Sequence, residues 1–314
     1  MRIAVVFPGQ GSQGVGMGCD AAAHSSEALA TFERASEVLG YDLLALQRRG
    51  PEEKLRETEF SQPAIFATNI ALYRAVGAGL RPVATAGHSF AELCSLVIAD
   101  SLEFDDALRI VSERGKAMQE AAQRACGGMS AVLGLDAERV RETLQHSGLH
   151  GVSLANFNSP TQIVISGELA QVQTAGAAML AAGAKRVVPL NVSGAWHSPL
   201  MEPAVARLAA AVEAGRFRLP QFDVISNVDG RPYRDIATIK ENLIRSVVDE
   251  VRWHDTAERL LSYRIDAIAE FGASGVLSAL MKRMPGAPPA TVVSDYASVE
   301  RFRATLAGTA SASV

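Results

Sequence analysis

The sequence predicts an α/β fold with a large domain built on a parallel sheet and a small subdomain inserted into it. In the first 122 residues, and again from residue 193 onward, short apolar strands alternate with helices. This pattern favours a parallel sheet covered on both faces. Between these two halves the predicted order is β-α-β-β-α-β, which is that of a ferredoxin-like unit. We therefore assign residues 1–122 and 193–314 to the large domain and residues 123–192 to the subdomain.

The large domain begins with an apolar strand, Ile3–Phe7, which is followed by the Gly-rich loop Pro8–Gly18. A second strand, Val83–His88, runs directly into an apolar helix that starts at Phe90. Four elements are predicted after residue 193: a helix near Pro203–Ala214, a strand at Phe222–Asn227, a helix at Ile236–Val248 and a strand at Ala267–Phe271. The small residues of the last eight positions predict a frayed tail.

The subdomain follows a different rhythm, with two strands on either side of a turn in its middle. Its elements are strand Met129–Leu135, helix Ala137–His146, strand Val152–Asn156, strand Gln162–Ser166, helix Leu169–Ala182 and strand Lys185–Leu190. The turn between the middle strands is assigned to Asn158–Thr161, which contains a proline. Such a complete set of elements predicts a small unit that folds within the larger one.

Composition and charge exclude several classes of protein. With 48% hydrophobic and 20% charged residues, the chain resembles an ordinary globular protein, and no apolar run approaches the ~20 residues that span a membrane. A net charge of −4 argues against a dedicated nucleic-acid-binding protein. The three cysteines (Cys19, Cys94 and Cys126) are far apart, and the six histidines form no metal-binding cluster. We therefore expect no disulfide framework, no metal site and a cytoplasmic location.

The segment Gly87-His88-Ser89-Phe90-Ala91 is the strongest indication of a catalytic nucleophile. It is close to the G-x-S-x-G elbow, in which a sharp strand-to-helix turn exposes the serine oxygen. Ala91 replaces the second glycine by the next smallest residue. The turn also places Ser89 at a helix N-terminus, which favours developing negative charge. The alternative is an ordinary serine N-cap.

A serine nucleophile needs an adjacent base, and His197 is the preferred candidate among the six histidines. It lies in a loop at the junction of the two predicted domains, where catalytic groups are common. His88 is next to Ser89, but adjacent residues at such a turn point in different directions. His254 is expected to be structural, and the remaining histidines lie in polar surface contexts. The local sequence favours His197 without singling it out.

The Gly-rich loop after the first strand is interpreted as part of an oxyanion-binding site. It lacks the lysine of a P-loop and the spacing of a dinucleotide fingerprint. A turn after a parallel strand presents N–H groups at the edge of the sheet where ligands bind. We therefore predict that the N–H groups of Gln10 and Phe90 act as oxyanion donors.

Arg114 falls on the apolar stripe of a predicted helix, Asp105–Arg124. A guanidinium is rarely buried without a partner. One interpretation is an internal ion pair with a carboxylate of the chain. The other is a binding site for the carboxylate of a substrate, which arginine suits through bidentate hydrogen bonds. The following Gly115 costs a helix about 1 kcal/mol relative to Ala, which indicates a close neighbour or a ligand.

Seven collinear segments resemble the malonyl-CoA:acyl carrier protein transacylases and cover nearly the whole chain. They are FPGQGSQ (7–13), EFSQPAIF (59–66), GHSFAE (87–92), ERGKAMQEA (113–121), NFNSPTQIVISG (156–167), GAWHSPLM (194–201) and SNV (226–228). The family includes the enzyme of fatty-acid synthesis and acyltransferases of polyketide assembly lines. The implied fold is a hydrolase-like α/β domain with an inserted ferredoxin-like subdomain.

The resemblance implies a role for each matching residue. Ser89 matches the family's nucleophile, His197 its base, and Gln10 its oxyanion-loop residue. Arg114 matches the arginine that pairs with the free carboxylate of malonyl. The acyl group is expected to arrive on CoA, to rest on the serine and to leave on the phosphopantetheine thiol of an acyl carrier protein, free or within a polyketide synthase. The implied cycle is ping-pong and needs no metal or organic cofactor.

Three positions depart from the family pattern. Ala91 stands for a glycine, Trp196 for a residue that is often Phe in malonyl-selective members, and Ser246 for a frequent Gln. The larger ring of Trp196 is expected to crowd the acyl α-carbon and to disfavour branched substrates. The position of Ser246 orients the catalytic histidine mainly through its backbone carbonyl in the family. We therefore expect a Ser–His dyad with no aspartate.

Further residues are assigned to the binding of substrate and carrier. Trp196, His88 and Gln62 are assigned to the substrate site together with Arg114. Two basic pairs, Lys185-Arg186 and Lys282-Arg283, are candidates for docking the carrier protein, or are ordinary solvated charges. Two other enzymatic functions stay open: transfer of another short acyl unit, and hydrolysis of stalled acyl carriers, against which Arg114 argues.

Overall fold

Two β-sheets organise the protein, whose computed structural model describes residues 1–311 and side chains as far as residue 308. The end of the tail that was expected to fray lies outside the described residues. Within the described chain the strands are β1 Ile3–Phe7, β2 Pro82–Gly87, β3 Gly127–Leu133, β4 Val152–Ser159, β5 Gln162–Glu168, β6 Arg186–Pro189, β7 Asp223–Val224, β8 Ala267–Phe271 and β9 Ala290–Val293.

In residues 1–311 the helices outnumber the strands. They are α1 Cys19–His24, α2 Ser26–Leu39, α3 Leu43–Arg49, α4 Glu52–Arg56, α5 Thr58–Val76, α6 Glu92–Ile98, α7 Phe104–Arg124, α8 Ala137–His146, α9 Leu169–Ala181, α10 Glu202–Ala214, α11 Ile236–Arg245, α12 Trp253–Ser262, α13 Val276–Met281 and α14 Tyr296–Ser311. Two short 3₁₀ turns, Ser89–Ala91 and Pro199–Met201, precede α6 and α10.

The larger sheet is parallel and has the order β7-β2-β1-β8-β9. β1 lies at its centre, and every residue of this strand is buried. An apolar run that is buried on both faces is what a central parallel strand requires. The carboxyl ends of β1 and β2 lie side by side, with Phe7 paired to Gly87. The Gly-rich loop and the predicted nucleophile therefore emerge at the same edge of the sheet.

The smaller sheet is antiparallel and has the order β4-β5-β3-β6. Helices α8 and α9 contribute to a separate apolar core with these strands. This arrangement confirms the predicted fold class, in which a large α/β domain carries a small subdomain with the β-α-β-β-α-β order. The limits proposed for the subdomain, residues 123 and 192, stay a prediction.

Several predicted elements differ from the observed ones. Five helices, α1 to α5, lie between β1 and β2, whereas the sequence had indicated a simple alternation of strands and helices. The predicted strand Phe222–Asn227 is reduced to the two residues of β7, because Ser226 and Asn227 leave the ladder and enter side-chain hydrogen bonds. The predicted helix Ile236–Val248 ends at Arg245.

Two strands of the subdomain, β4 and β5, continue further than predicted. β4 extends to Ser159 and β5 to Glu168, and the last register pair joins Ser159 to Gln162. The connection is therefore only Pro160 and Thr161, a two-residue loop of the kind that antiparallel hairpins favour. As a result, the polar side chain of Asn158 is held on a strand rather than in a turn.

Gly115 is explained by helix packing. A β-carbon at this position would lie 2.7 Å from the carbonyl oxygen of Thr58, the first residue of α5. The backbones of α5 and α7 therefore approach too closely for a side chain.

None of the described helices combines the length and the apolar composition that a membrane crossing needs.

The close contact at Gly115 predicts that Gly115→Ala lowers stability, although alanine is the better helix former by about 1 kcal/mol. Overpacking against a backbone atom typically costs about 1–3 kcal/mol, so the midpoint of urea unfolding should fall. Gly308→Ala is the control, since this glycine also lies in a helix and no atom lies within 4 Å of the added carbon. An unchanged or higher midpoint for Gly115→Ala would contradict the packing interpretation.

Candidate active site

The turn after β2 has the geometry of a nucleophile elbow. Ser89 adopts a left-handed backbone conformation with φ of 56°, which is uncommon for a residue other than glycine. A β-carbon on Gly87 would lie only 2.0 Å from the carbonyl oxygen of Ala91, so position 87 accepts glycine alone. Ala91 is buried, and its methyl group is accommodated there. The chain thus turns sharply enough to bring the Ser89 hydroxyl to the edge of the sheet.

His197 contacts the Ser89 hydroxyl from the loop that follows β6. Its Nε2 lies 3.0 Å from Ser89 Oγ, and its Nδ1 lies 3.1 Å from the carbonyl oxygen of Asp249. Because a carbonyl can only accept a hydrogen bond, Nδ1 carries the proton and Nε2 presents its lone pair to the serine. This tautomer is the one that a general base requires.

The surroundings of His197 keep its ring neutral. The residue is only 4% exposed, and burial, together with the charge of Arg114, lowers its pKa to about 3. The carbonyls of Asp249 and Ser246 act in the opposite direction. The hydrogen bond with good geometry goes to the Asp249 carbonyl, and the Ser246 carbonyl expected from the resemblance also acts on the ring. The Asp249 carboxylate itself lies 2.6 Å from Arg245 Nε.

Arg114 reaches the same hydroxyl from α7. Its Nη2 donates to Ser89 Oγ at 3.1 Å, and the residue is 2% exposed. Its Nε and Nη1 are buried and have no acceptor among the described residues. Burial lowers the pKa of Arg114 to about 9, and the negative charge of Glu92 raises it. The guanidinium therefore stays charged at neutral pH, with two donors available to an anion.

The Gly-rich loop packs directly against the elbow. A β-carbon on Gly9 would lie 2.7 Å from the carbonyl oxygen of His88, so only glycine permits this approach. Two hydrogen bonds fix the loop: Asn69 Nδ2 donates to the Pro8 carbonyl, and Gln10 Nε2 donates to Thr58 Oγ1, each at 3.1 Å. Gln10 is thereby held beside the elbow, and it lines the cavity.

These groups share one cavity of about 290 Å³, close to the lower end of the range for small-molecule sites. Six of the predicted site residues line it, and they are Gln10, His88, Ser89, Arg114, Trp196 and His197. The apolar part of the lining comes mainly from the subdomain, and it consists of Met118, Met129, Ala131, Val164, Leu190 and Val192. The subdomain also adds the polar residues Asn156, Asn158 and Gln162. The charged groups thus face a wall that is largely but not wholly apolar.

His88 and Trp196 occupy this cavity in different ways. His88 Nε2 lies 3.3 Å from Asn158 Oδ1 on β4, and its ring is tilted by 49° against the Trp253 ring, with the ring centroids 5.7 Å apart. Burial lowers the pKa of His88 to about 4, so this ring is neutral as well. Trp196 is buried, and a β-carbon on Gly194 would lie 2.7 Å from its ring.

The remaining predicted residues lie elsewhere. Gln62 is fully buried in α5 and does not line the cavity; its Nε2 lies 3.5 Å from Met118 Sδ. The Phe90 ring is buried, and its centroid lies 6.0 Å from the Arg114 guanidinium carbon. The four basic residues proposed for docking are exposed and make no ion pair within the described chain, and they are Lys185, Arg186, Lys282 and Arg283.

Sequence reasoning missed several residues that support the site. Asn227 contacts the backbone of the elbow, and Glu92 binds Asn227. Both belong to the motifs GHSFAE and SNV, and a glutamate among the apolar residues at the start of α6 was a signal of a buried carboxylate. Asn158 also belongs to a matching motif, NFNSPTQIVISG, whereas the carbonyl of Asp249 left no signal, because every residue has a carbonyl.

Comparison with known proteins gives consistent matches. The sequence profile of the family described as acyl transferase domain matches residues 4–303. The malonyl CoA-acyl carrier protein transacylase of Haemophilus influenzae is 41% identical over 308 residues, which are 96% of this chain and 99% of that protein. The protein of the same name from Bacillus subtilis is 38% identical over 302 residues, 95% of each chain.

Solved structures agree with these sequence matches. An acyl carrier protein S-malonyltransferase from Vibrio cholerae superposes with a TM-score of 0.90 at 40% identity, covering 96% of this chain and all of that one. A malonyl-transacylase, solved in complex with its type II polyketide synthase acyl carrier protein, superposes with a TM-score of 0.93 at 41% identity. That match covers 97% of this chain and all of the other.

The low pKa of His197 predicts that the reactivity of Ser89 persists in mild acid. A base with a pKa near 6.5 would be mostly protonated at pH 5, and the rate would fall about 30-fold from neutral pH. A base with a pKa of about 3 is still deprotonated at pH 5, so the rate should stay nearly constant. The measurement is the rate of Ser89 labelling by a fluorophosphonate between pH 5 and 8, with circular dichroism to verify folding. A loss of about 30-fold would contradict this.

Proposed function

The chain belongs to the malonyl-CoA:acyl carrier protein transacylase family, and on that premise we propose that it transfers a malonyl group from CoA to the phosphopantetheine thiol of an acyl carrier protein. The relatives that match over nearly their whole length carry this name, and one structural neighbour was solved with its carrier protein. Ser89 is the acyl acceptor, and His197 is the base of a Ser–His dyad. The chain's own residues supply every group that the reaction needs, without a metal or an organic cofactor.

The observation that carries this function is the guanidinium of Arg114 beside the nucleophile. Its Nη2 lies 3.1 Å from Ser89 Oγ, and its two other nitrogens have no acceptor in the described chain. A malonyl thioester has a carboxylate one methylene away from the carbonyl that the serine attacks. A carboxylate bound by Arg114 therefore places that carbonyl near Ser89 Oγ. Bidentate pairing in a buried site is a strong and directional interaction.

The first half-reaction forms the acyl-serine ester. Ser89 Oγ attacks the thioester carbonyl while its proton moves to His197 Nε2. The negative charge on the carbonyl oxygen is stabilised by the N–H groups of Gln10 and Phe90, neither of which donates to a backbone or side-chain acceptor in the described residues. The C–S bond then breaks, and His197 returns the proton to the departing CoA thiolate.

The second half-reaction transfers the acyl group to the carrier. The phosphopantetheine thiol gives its proton to His197 and attacks the ester carbonyl, and the same N–H groups stabilise the second tetrahedral intermediate. Collapse breaks the bond to Ser89 Oγ, which takes the proton back from His197. Because CoA leaves before the carrier thiol attacks, the cycle is ping-pong. The exposed pairs Lys185-Arg186 and Lys282-Arg283 are the proposed contacts for an acidic carrier.

The role of Arg114 predicts a selective loss in the variant Arg114→Ala. Removing one partner of a buried charged pair costs about 2 kcal/mol or more, so kcat/KM for malonyl loading should fall at least about 30-fold. Acetyl loading should fall less than malonyl loading, because acetyl has no carboxylate and is affected only through the contact of Arg114 with Ser89. Intact-protein mass after mixing with malonyl-, methylmalonyl- and acetyl-CoA measures the loading.

Methylmalonyl should load more slowly than malonyl on the wild type because Trp196 lies against the acyl site.

Two control variants show whether a loss in Arg114→Ala is specific to this residue. Arg109→Ala removes an exposed arginine of the same helix and should load like the wild type, and Ser89→Ala should form no adduct. Equal loading of acetyl and malonyl on the wild type would mean that Arg114 is structural. An adduct on Ser89→Ala would show that the nucleophile is a different residue.

The docking proposal predicts separate effects on the two half-reactions. Charge reversal of one basic pair, as in Lys282→Glu with Arg283→Glu, should raise the KM for the carrier protein several-fold, because complementary charge guides its approach. The rate of malonyl loading from CoA should not change. Lys185→Glu with Arg186→Glu tests the other pair in the same assay. Unchanged transfer kinetics for both double variants would remove these residues from the docking surface.

A further inference from the structure

The side-chain amide of Asn227 forms hydrogen bonds to the backbone on both sides of His88, next to the nucleophile. Asn227 Nδ2 donates to the Gly87 carbonyl at 2.6 Å, and its Oδ1 accepts the Ser89 N–H at 3.1 Å. These are the two backbone groups on either side of His88, at the point where the chain enters its left-handed turn. A left-handed residue other than glycine costs about 1–3 kcal/mol and persists only where the surroundings impose it. Asn227 is positioned to impose it.

Glu92 determines which way this amide faces. Its Oε2 accepts from Asn227 Nδ2 at 2.7 Å and from the Asn227 backbone N–H at 2.6 Å, while its Oε1 accepts from the Tyr233 hydroxyl. A carboxylate has only acceptors, so the NH₂ group of Asn227 must face Glu92. The amide oxygen is then directed to the Ser89 N–H. Glu92 itself lies three residues after the nucleophile and is 3% exposed.

The same carboxylate acts on Arg114 without touching it. Its negative charge raises the pKa of Arg114, although no ion pair joins the two residues in the described chain. Burial raises the pKa of Glu92 above its usual value, and the hydrogen bonds from Tyr233 and Asn227 oppose this rise. A counter-charge at a distance reduces the cost of the buried guanidinium while its donors stay free for a ligand.

We propose, on the basis that Ser89 is the nucleophile of the proposed function, that Asn227 is a positioning residue for Ser89 and that Glu92, with Tyr233, fixes the orientation of Asn227. The amide holds the strained turn that presents Ser89 Oγ to His197 Nε2. It also engages the N–H of Ser89. The oxyanion donor of the elbow is therefore the N–H of Phe90, the next residue along the chain.

The first test is Asn227→Ala, with Asn242→Ala as its matched control. Asn242 is also a buried asparagine, but its Nδ2 donates to Ser226 Oγ at 3.0 Å and does not touch the elbow. A displacement of about 1 Å at a reacting group costs about 100-fold, so Asn227→Ala should slow fluorophosphonate labelling of Ser89 by about that factor. Asn242→Ala should stay within about threefold of the wild type.

A second measurement separates positioning from a merely structural role. In the Ser89→Ala background, the Kd for malonyl-CoA should change less than about threefold on adding Asn227→Ala, because Arg114 still binds the carboxylate. Wild-type labelling by Asn227→Ala, or equal slowing by Asn242→Ala, would overturn the proposal. A wild type that labels but does not load malonyl would refute the proposed function alone, since labelling needs no acyl substrate.

Glu92→Gln keeps the proposal testable if Asn227→Ala does not fold. Glutamine matches the shape of glutamate, but it cannot accept from all three donors, and an NH₂ group facing Asn227 would force that amide to turn. Labelling should slow markedly in Glu92→Gln and less in Tyr233→Phe, which removes one donor only. Equal, wild-type rates in both variants would overturn the orienting role of Glu92.

Discussion

The Arg114 guanidinium sits in a buried site with one donor on the serine oxygen and no carboxylate of residues 1–308 in contact with it. Desolvating a charge in this way is expensive, and much of the surrounding structure serves to tolerate it. Glu92 supplies a distant negative charge, and the Phe90 ring supplies a polarizable face. The positive charge in turn contributes to keeping His197 neutral. Nucleophile, base and anion site are therefore one electrostatic unit rather than three independent features.

The subdomain supports both halves of this unit through the edge strand β4. Asn158 on this strand bonds to His88, the residue before the nucleophile. Just before Asn158, the backbone of β4 exchanges hydrogen bonds with Val251: Phe157 N–H donates to the Val251 carbonyl, and Val251 N–H donates to the Ala155 carbonyl, each at 2.8 Å.

These backbone hydrogen bonds also help to position the catalytic base. Val251 lies two residues after Asp249, whose carbonyl fixes the tautomer of His197. One strand of the smaller sheet thus braces the segments that hold the serine and the histidine, although these segments belong to the larger domain. The apolar cavity wall and the support of the base thus both depend on the smaller sheet.

The sequence predicted those features of the fold and the site whose signal lies within a short segment of the chain. The elbow was readable because glycine is needed within two residues of the serine, and Arg114 because a charge interrupts an apolar stripe. Asn227 was not, because its partners Gly87 and Ser89 lie 140 and 138 residues away. Gln62 was assigned to the substrate site from a motif that does not specify which face of a helix points to the cavity; the structure directs it to Met118. The long helix α5 between β1 and β2 escaped notice because it is buried on nearly all sides and has no clear amphipathic period.

The choice of a backbone carbonyl as the partner of His197 fits the charge of Arg114. A carboxylate in that position would stabilise the protonated ring strongly, and it would also be a second anion close to the guanidinium. A carbonyl fixes the tautomer with much less effect on the proton affinity of the ring. The charge of Arg114 lowers the pKa of His197, and a substrate carboxylate paired with Arg114 cancels that charge. The proton affinity of the base therefore rises when an acyl group with the right anion is bound, so binding and base strength are coupled through one guanidinium.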